Sequence, residues 1–272
     1  MGLFGRHVSI NFGLSGSEGR EFDNVRVRFR VDMRRSSDPN KAVMEVWNLT
    51  KESASILQDP KVVIRLTAGY DTPRQIFVGE PIKNGVTITR QGTERIIRIE
   101  ALDGGKSYQE SRVGSTMATG STFQQVIDEV LGSFGLPLGS IEIPENQISY
   151  PDGLNLSGTS RDMLDSLMES VGGQWFINDG VINVAGTNQP LNTTGPLFSV
   201  EGGNLIGSPS PKDDGVLEIK ALLDPDMRPG TPYRVESEQY SGDYTARDVT
   251  FMGDSGWDTP FYVQVIGTRR SS

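Results

Sequence analysis

Residues 24–35, NVRVRFRVDMRR, alternate along their length: Val25, Val27, Phe29 and Val31 hold the odd positions, Arg26, Arg28 and Arg30 the even ones. A period of two is the signature of a strand with one face in the core and one in water. The same rhythm recurs through residues 1–106, in RHVSINFGL, AVMEVWNL, VVIRLTAGY, QIFVGEPI, GVTITRQG and RIIRIEALD, with one short helical stretch, TKESASILQ, after Asn48. Short strands at this spacing predict a barrel or sandwich.

Residues 107–190 change period. STFQQVIDEVLGSFG sets Phe123, Val126, Ile127, Val130, Leu131 and Phe134 on one helical face, and Ser121 with Gln124 three places on reads as a capping box. SRDMLDSLMESVGG gives a second stripe, Met163, Leu164, Leu167, Met168 and Val171, closed by Gly172. QWFINDGVINVAG predicts a hairpin turning at Asp179-Gly180. Residues 191–272 return to strands in GVLEIKALL, PYRVESEQY, DYTARDVTFM and PFYVQVIGTRR. The fold class that follows is mainly β with an α+β insert. Two β-barrel domains, 1–106 and 191–272, flank a small helix and strand module at 107–190.

Composition narrows the function. The 26 basic and 35 acidic residues leave a net charge of -9, the wrong sign for a chain that grips DNA through an excess of Lys and Arg. Cysteine is absent, which excludes thiol chemistry and disulfides. No apolar run approaches the roughly 20 residues that span a bilayer, the start MGLFGRHVSI has no secretory core, and Arg6 stands where a myristoylation signal carries Ser or Thr. A soluble chain made inside the cell is expected, without membrane insertion.

Motifs that suggest chemistry fail on inspection. Gly105-Lys106-Ser107 lacks the distal glycine of a phosphate loop, with Glu100 in its place. GDSG at 253–256 resembles a serine-protease nucleophile segment, yet the sole histidine, His7, sits in unrelated surroundings. DPDMRPG at 224–230 puts Arg228, Pro229 and Val235 where a calcium loop requires an oxygen ligand, glycine and glutamate. No catalytic, cofactor-binding or metal-ligating residue is expected, and no cofactor.

Three segments resemble the baseplate hub proteins of tailed bacteriophages and the hub part of type VI secretion spikes. IFVGEPIKNGVTIT leads to RIIRIEALDGGKSY; the helical pair is followed by its hairpin; LLDPDMRPGTPYRVES continues to GDYTARDVTFMGDSGWDTPFYVQVIG. The resemblance implies a structural protein of the virion tail tip or baseplate, assembled in the host cytoplasm. It implies a homotrimer whose six β units form a pseudo-sixfold ring joining a hexameric tail tube to a trimeric spike. Spike, tube or distal tail proteins and a tape-measure protein are the implied partners, and DNA passes the bore without specific binding. Two alternatives stay open: a carboxylate-dependent cell-wall hydrolase, and a carbohydrate-binding β protein using Trp257, Phe261 and Tyr262.

The arginine row has three readings. It is a subunit interface in which Arg26, Arg28 and Arg30 meet acids from KDDGVLEIK or ESEQYSGD, a solvated face with cross-strand pairs, or a DNA contact, which the acidic balance disfavours. On the first reading, reversing all three charges weakens assembly and leaves the monomer folded.

Overall fold

The computed structural model describes residues 5–143, 146–187, 189–191, 194–213, 215–256 and 260–270. The chain is mainly β, and the described strands close no barrel. The N-terminal strands are β1 (His7–Leu14), β2 (Arg20–Phe22), β3 (Val27–Arg34), β4 (Lys41–Trp47), β5 (Val62–Gly69), β6 (Arg74–Gln91) and β7 (Glu94–Leu102), with helix α1 (Lys51–Ile56) between β4 and β5. The middle contains α2 (Gly105–Glu110), β8 (Arg112–Met117), β9 (Ser121–Thr122), α3 (Phe123–Ser133), β10 (Leu138–Ile141), β11 (Ser149–Tyr150), β12 (Leu154–Thr159), α4 (Ser160–Ser170), β13 (Gly173–Asn178) and β14 (Val181–Gly186). The last part has β15 (Leu197–Ser199), β16 (Ser210–Asp213), β17 (Val216–Leu222), β18 (Pro232–Glu236), β19 (Ser241–Asp254) and β20 (Phe261–Arg269).

The flanking β regions belong to one 13-stranded sheet, in the order β16-β17-β20-β19-β3-β4-β7-β6-β5-β1-β2, with β18 on β19 and β15 on β18. The pairing of Asp248–Asp254 in β19 with Arg28–Arg34 in β3 unites them. Their buried side chains form a single core in which Phe29, Val31 and Met44 join Phe251, Val263 and Val265. The alternation read at 24–35 is real: Val27, Phe29 and Val31 are buried and the arginines between them exposed. QIFVGEPI and GVTITRQG, expected as two strands, are the two ends of β6. Its ladder with β7 slips between Pro81 and Val86, and Asn84 there adopts a left-handed φ of 61°. A bulge carries the strand through the break that its polar residues suggested. Gly79 is required where β6 leaves β5 for β7, because a Cβ there would collide with the Leu102 carbonyl.

The middle unit has its own core. The stripes of α3 and α4 pack with Trp175, Ile177, Ile182 and Val184. The capping box lies one residue later than predicted: the Thr122 hydroxyl accepts from the Gln125 amide and the Gln125 side chain accepts from the Thr122 amide, while Ser121 Oγ donates to the Ala118 carbonyl. The 173–186 hairpin turns at Asp179 and Gly180, with φ of 54° and 75°, as the Asp-Gly pair demands.

Strand β13 is buried on both faces. Trp175 and Ile177 enter the middle core, whereas Phe176 lies under the Arg35 guanidinium, 5.5 Å from ring centroid to Cζ. The seam on that second face is polar. Asp103 is fully buried and accepts the Asp179 amide at 2.7 Å on one oxygen and the Gly180 amide at 2.6 Å on the other. Asn40 donates to the Ile177 carbonyl at 2.6 Å, and Arg35 to the Gly186 carbonyl at 2.8 Å. Arg228 ties three parts of the chain: Nε bonds Asp179 at 2.7 Å, Nη2 the Gln75 carbonyl at 2.7 Å, and Nη1 the Pro225 and Met227 carbonyls of its own turn. Burial pushes the Asp103 carboxyl up to about 7, with the Asp179 charge adding to the rise and the Gly180 and Asp179 amides and Asn40 opposing it.

Asp103→Ala leaves two part-buried amides without acceptors and is expected to cost about 1–3 kcal/mol, the range for an orphaned donor. The urea unfolding midpoint measures the loss, and an unchanged midpoint refutes the role given to the seam.

Candidate functional site

The exposed face of the central strands is the site to which the sequence draws attention. Cross-strand register places Asp254, Arg28, Glu45 and Arg98 in one row over β19, β3, β4 and β7. A neighbouring row carries Met252, Arg30, Val43 and Glu100. Side chains opposite one another on one face of antiparallel strands meet, so opposite charges pair and like charges repel.

The arginine partners lie within the chain. Arg26 grips Asp254 with two prongs, Nε to Oδ1 at 3.0 Å and Nη2 to Oδ2 at 2.9 Å. Arg28 Nε reaches the same carboxylate at 3.1 Å, and its Nη1 reaches Glu45 at 3.3 Å. Arg30 makes a two-pronged pair with Asp32, both contacts 2.8 Å. Arg98 bridges Glu45 and Glu100, and Lys41 meets Glu100 at 2.8 Å. Trp47 lies buried beneath the row, its ring centroid 4.6 Å from Arg26 Cζ and 5.4 Å from Arg28 Cζ, a cation–π arrangement. Within the chain, the acids of KDDGVLEIK and ESEQYSGD have other basic partners: Glu218 pairs with Lys212, and Glu236 and Asp243 pair with Arg234.

Asp254 is the anchor, 1% exposed. Burial alone would push its carboxyl up, but the hydrogen bonds from Arg26, the Gly256 amide and Arg28 together hold it below the ordinary carboxylate value. The Asp254 bond raises Arg26 in turn, Asp32 raises Arg30, and Lys41 followed by Arg98 lowers Glu100. The arginines themselves stay half open to water, with side chains 41%, 53% and 51% exposed at 26, 28 and 30.

The other motifs resolve into structure. In GDSG, the Ser255 hydroxyl accepts the Val27 amide at 3.0 Å, and the Ser255 amide donates to the Val27 carbonyl. The segment clasps the start of β3, and no hydrogen bond joins His7 to Ser255. Lys106 of the GKS stretch donates to the Pro60 carbonyl. DPDMRPG is the turn that presents Arg228, tightened by the Asp226 amide on Asp224 Oδ1. Among the described residues, no group of three His, Asp or Glu side chains could hold a metal. Phe261 is buried edge-on to Phe29 and Tyr70. Tyr262 is half-buried under Lys220, whose Nζ lies 3.8 Å from the ring centroid. Trp257 falls outside the described residues. The proposed sugar platform therefore loses Phe261 to the core.

Sequence periodicity could have found Glu45 and Glu100, since both occupy the outward positions of their strands. Nothing local marks Asp254, which is 228 residues from Arg26.

Solved structures share this architecture. The 43 kDa tail protein of prophage MuSo2 from Shewanella oneidensis superposes with a TM-score of 0.65 at 10% identity, over 96% of this chain and 96% of that one. The chain has the tail-protein fold. A tail protein from Neisseria meningitidis MC58 matches with a TM-score of 0.64 at 10% identity, over 98% and 97% of the two chains. The E. coli c3393 protein is a type VI secretion component with structural similarity to the T4 bacteriophage tail proteins gp27 and gp5. It matches with a TM-score of 0.63 at 10% identity, over 96% of this chain and 77% of that one. No protein-family model and no curated protein sequence matches the chain. The shared fold thus accompanies an identity of only 10%.

Because the guanidinium groups neutralise acids of their own sheet, reversing Arg26, Arg28 and Arg30 to Glu would set three new carboxylates beside Asp254, Glu45 and Asp32. That variant perturbs the monomer and is not a clean test of assembly. Replacing Arg26 and Arg28 with Ala strands a buried carboxylate and is expected to cost about 1–3 kcal/mol in urea unfolding. A depressed folded value means Asp254 contributes stability fully above its unfolded value near 4, and the contribution is lost as pH falls through the folded one. Wild type should therefore lose stability more steeply than Asp254→Asn below about pH 4; parallel curves overturn the assignment.

Proposed function

We propose that this chain is a structural tail-hub subunit of a virion tail tip or baseplate, three copies of which form a ring between tail tube and spike. The observation that carries the reading is the end-to-end match to the MuSo2 tail protein, 96% of each chain, middle unit included. The two β flanks, 1–106 and 191–272, act as two similar units per subunit, so that three chains meet a sixfold tube. The middle unit, 107–190, is held to the sheet by the Asp103 seam. The exposed edges of Arg26, Arg28 and Arg30, left over after the in-chain pairs are made, contact neighbouring subunits or the baseplate. A face whose cations are already neutralised by carboxylates also offers little purchase to phosphate, which suits a bore through which DNA slides. Spike, tube or distal tail proteins and a tape-measure protein are the partners of this reading, which involves no catalysis.

Native mass spectrometry of the purified protein, alone and with the adjacent spike protein, is expected to give a trimeric mass in at least one of the two samples. A monomer in both, or release of soluble fragments from peptidoglycan that a single Asp or Glu substitution abolishes, overturns the reading.

A further inference from the structure

The chain crosses between the sheet and the middle unit twice. The first crossing is Gly104-Gly105, between Asp103, whose amide bonds the Asn40 carbonyl, and Tyr108, which packs on the middle core. The second follows Gly186 and ends at Leu191, whose amide bonds the Gly230 carbonyl. Between these crossings the two parts share no core: no buried apolar side chain belongs to both. Phe176 is fully buried and belongs to neither, lying in the seam under Arg35. Domains joined through a polar contact of this kind move relative to one another unless a large apolar interface stops them.

Docking also leaves two groups worse off than water would. Arg35 is 7% exposed; its Nη2 reaches the Gly186 carbonyl, while Nε and Nη1 have no acceptor. Idle buried donors lose a hydration that nothing in the fold replaces. The second group is Asp103. Asp179 faces it from the hairpin as a like charge. Arg228 of the 224–231 turn bonds Asp179 instead, Asp226 of that turn pairs with Arg74, and Asp224 accepts the Asp226 amide. On β4 and the loop before it stand neutral Asn40, and Lys41, which Glu100 holds. On α2 stands Lys106, bonded to the Pro60 carbonyl. Asp103 is therefore met by the Asp179 and Gly180 amides and by Asn40, and by no cation among the described residues.

We propose that the seam is a latch: the middle unit swings off the sheet with both cores intact, and Asp103 passes its proton to water as the seam opens. Opening exposes the Phe176 ring and breaks the hydrogen bonds of the seam, which keeps the closed form the major one. Against this, it returns Arg35 and Asp103 to water. Docked, the Asp103 carboxyl titrates at about 7; undocked, it falls back to the ordinary range near 4. Closure thus takes up a proton. The contribution of that proton is complete below about pH 4, is lost as pH rises through about 7, and is constant beyond. The latch belongs to a single chain, so it stands or falls apart from the ring.

The chain has no cysteine, so one introduced thiol reports opening cleanly. Ala185 is fully buried and shares the seam face of the hairpin with Phe176, because it pairs with Gln174, two residues away on the same strand. Val126 lies in the middle core and Val31 in the sheet core, both fully buried. Full chains carrying Ala185→Cys, Val126→Cys or Val31→Cys are labelled with a thiol reagent from about pH 5 to about pH 8, and each rate is divided by that of a free cysteine peptide at the same pH. The Ala185→Cys chain is expected to label at least about tenfold faster than either core variant, with a normalised rate that rises at least about tenfold across this range. Asp103→Asn added to the Ala185→Cys chain is expected to flatten the rise. Labelling of the Ala185→Cys chain no faster than that of the Val126→Cys chain means that the seam opens only when the unit unfolds, and overturns the latch. A normalised rate that is flat with pH in the Ala185→Cys chain overturns it too, and this readout stands even where the Asp103→Asn chain fails to fold. A rise that persists undiminished in a folded Asp103→Asn chain overturns the part given to Asp103.

Discussion

A carboxylate with 1% of its surface exposed needs donors to hold its charge, and for Asp254, the last residue of β19, two arginines supply them. Arg28 meets it from the neighbouring β3, and Arg26 from the residue just before that strand. The pair sits where the N- and C-terminal strand groups join, and a one-residue slip would turn both arginines into the core and remove their partner. The register thus fixes the union of the two strand groups, and with it the shared core of Phe29, Phe251 and Phe261 beneath. Outward from this point the sheet face alternates in charge, with Arg26, Arg28, Arg30 and Arg98 each positioned by an acid on their own or an adjacent strand.

The middle unit is attached by different means. Its core is separate, and its contact with the sheet runs through Asp103, Asn40, Arg35 and Arg228 rather than through interlocked apolar side chains. Hydrogen bonds of fixed geometry orient the hairpin more sharply than an apolar contact would, because both amides of the Asp179-Gly180 turn address the two oxygens of a single carboxylate. The arrangement has a cost: Nε and Nη1 of Arg35 are buried without partners, and burial lowers the affinity of that guanidinium for its proton.

Much of this was legible in the sequence, and the legible part is local. Two-residue alternation located β1, β3, β4, β5 and β7, and the stripe at 123–134 located α3, because these patterns depend only on which face each side chain takes. The Asp-Gly turn at 179–180 was legible because its left-handed backbone demands such residues. What escaped is what the chain makes by returning to itself. The Asp254–Arg26 pair, the Arg228 staple and the merging of two strand groups into one sheet leave no periodic mark, since their members lie tens to hundreds of residues apart. Even β6 was split at Lys83-Asn84, where a bulge lets polar residues stay within a continuous strand.

The β3–β19 ladder also governs the order in which the molecule can be completed. Until the ribosome has released residues 248–254, one edge of β3 is bare over its most apolar stretch, Phe29 to Met33. Such an edge pairs readily with other nascent chains. The N-terminal strands must therefore wait, through the synthesis of the whole middle unit, for a neighbour encoded near the far end of the message. Vulnerability to misassembly is concentrated in that interval, and slowing translation within the 107–190 segment would lengthen it.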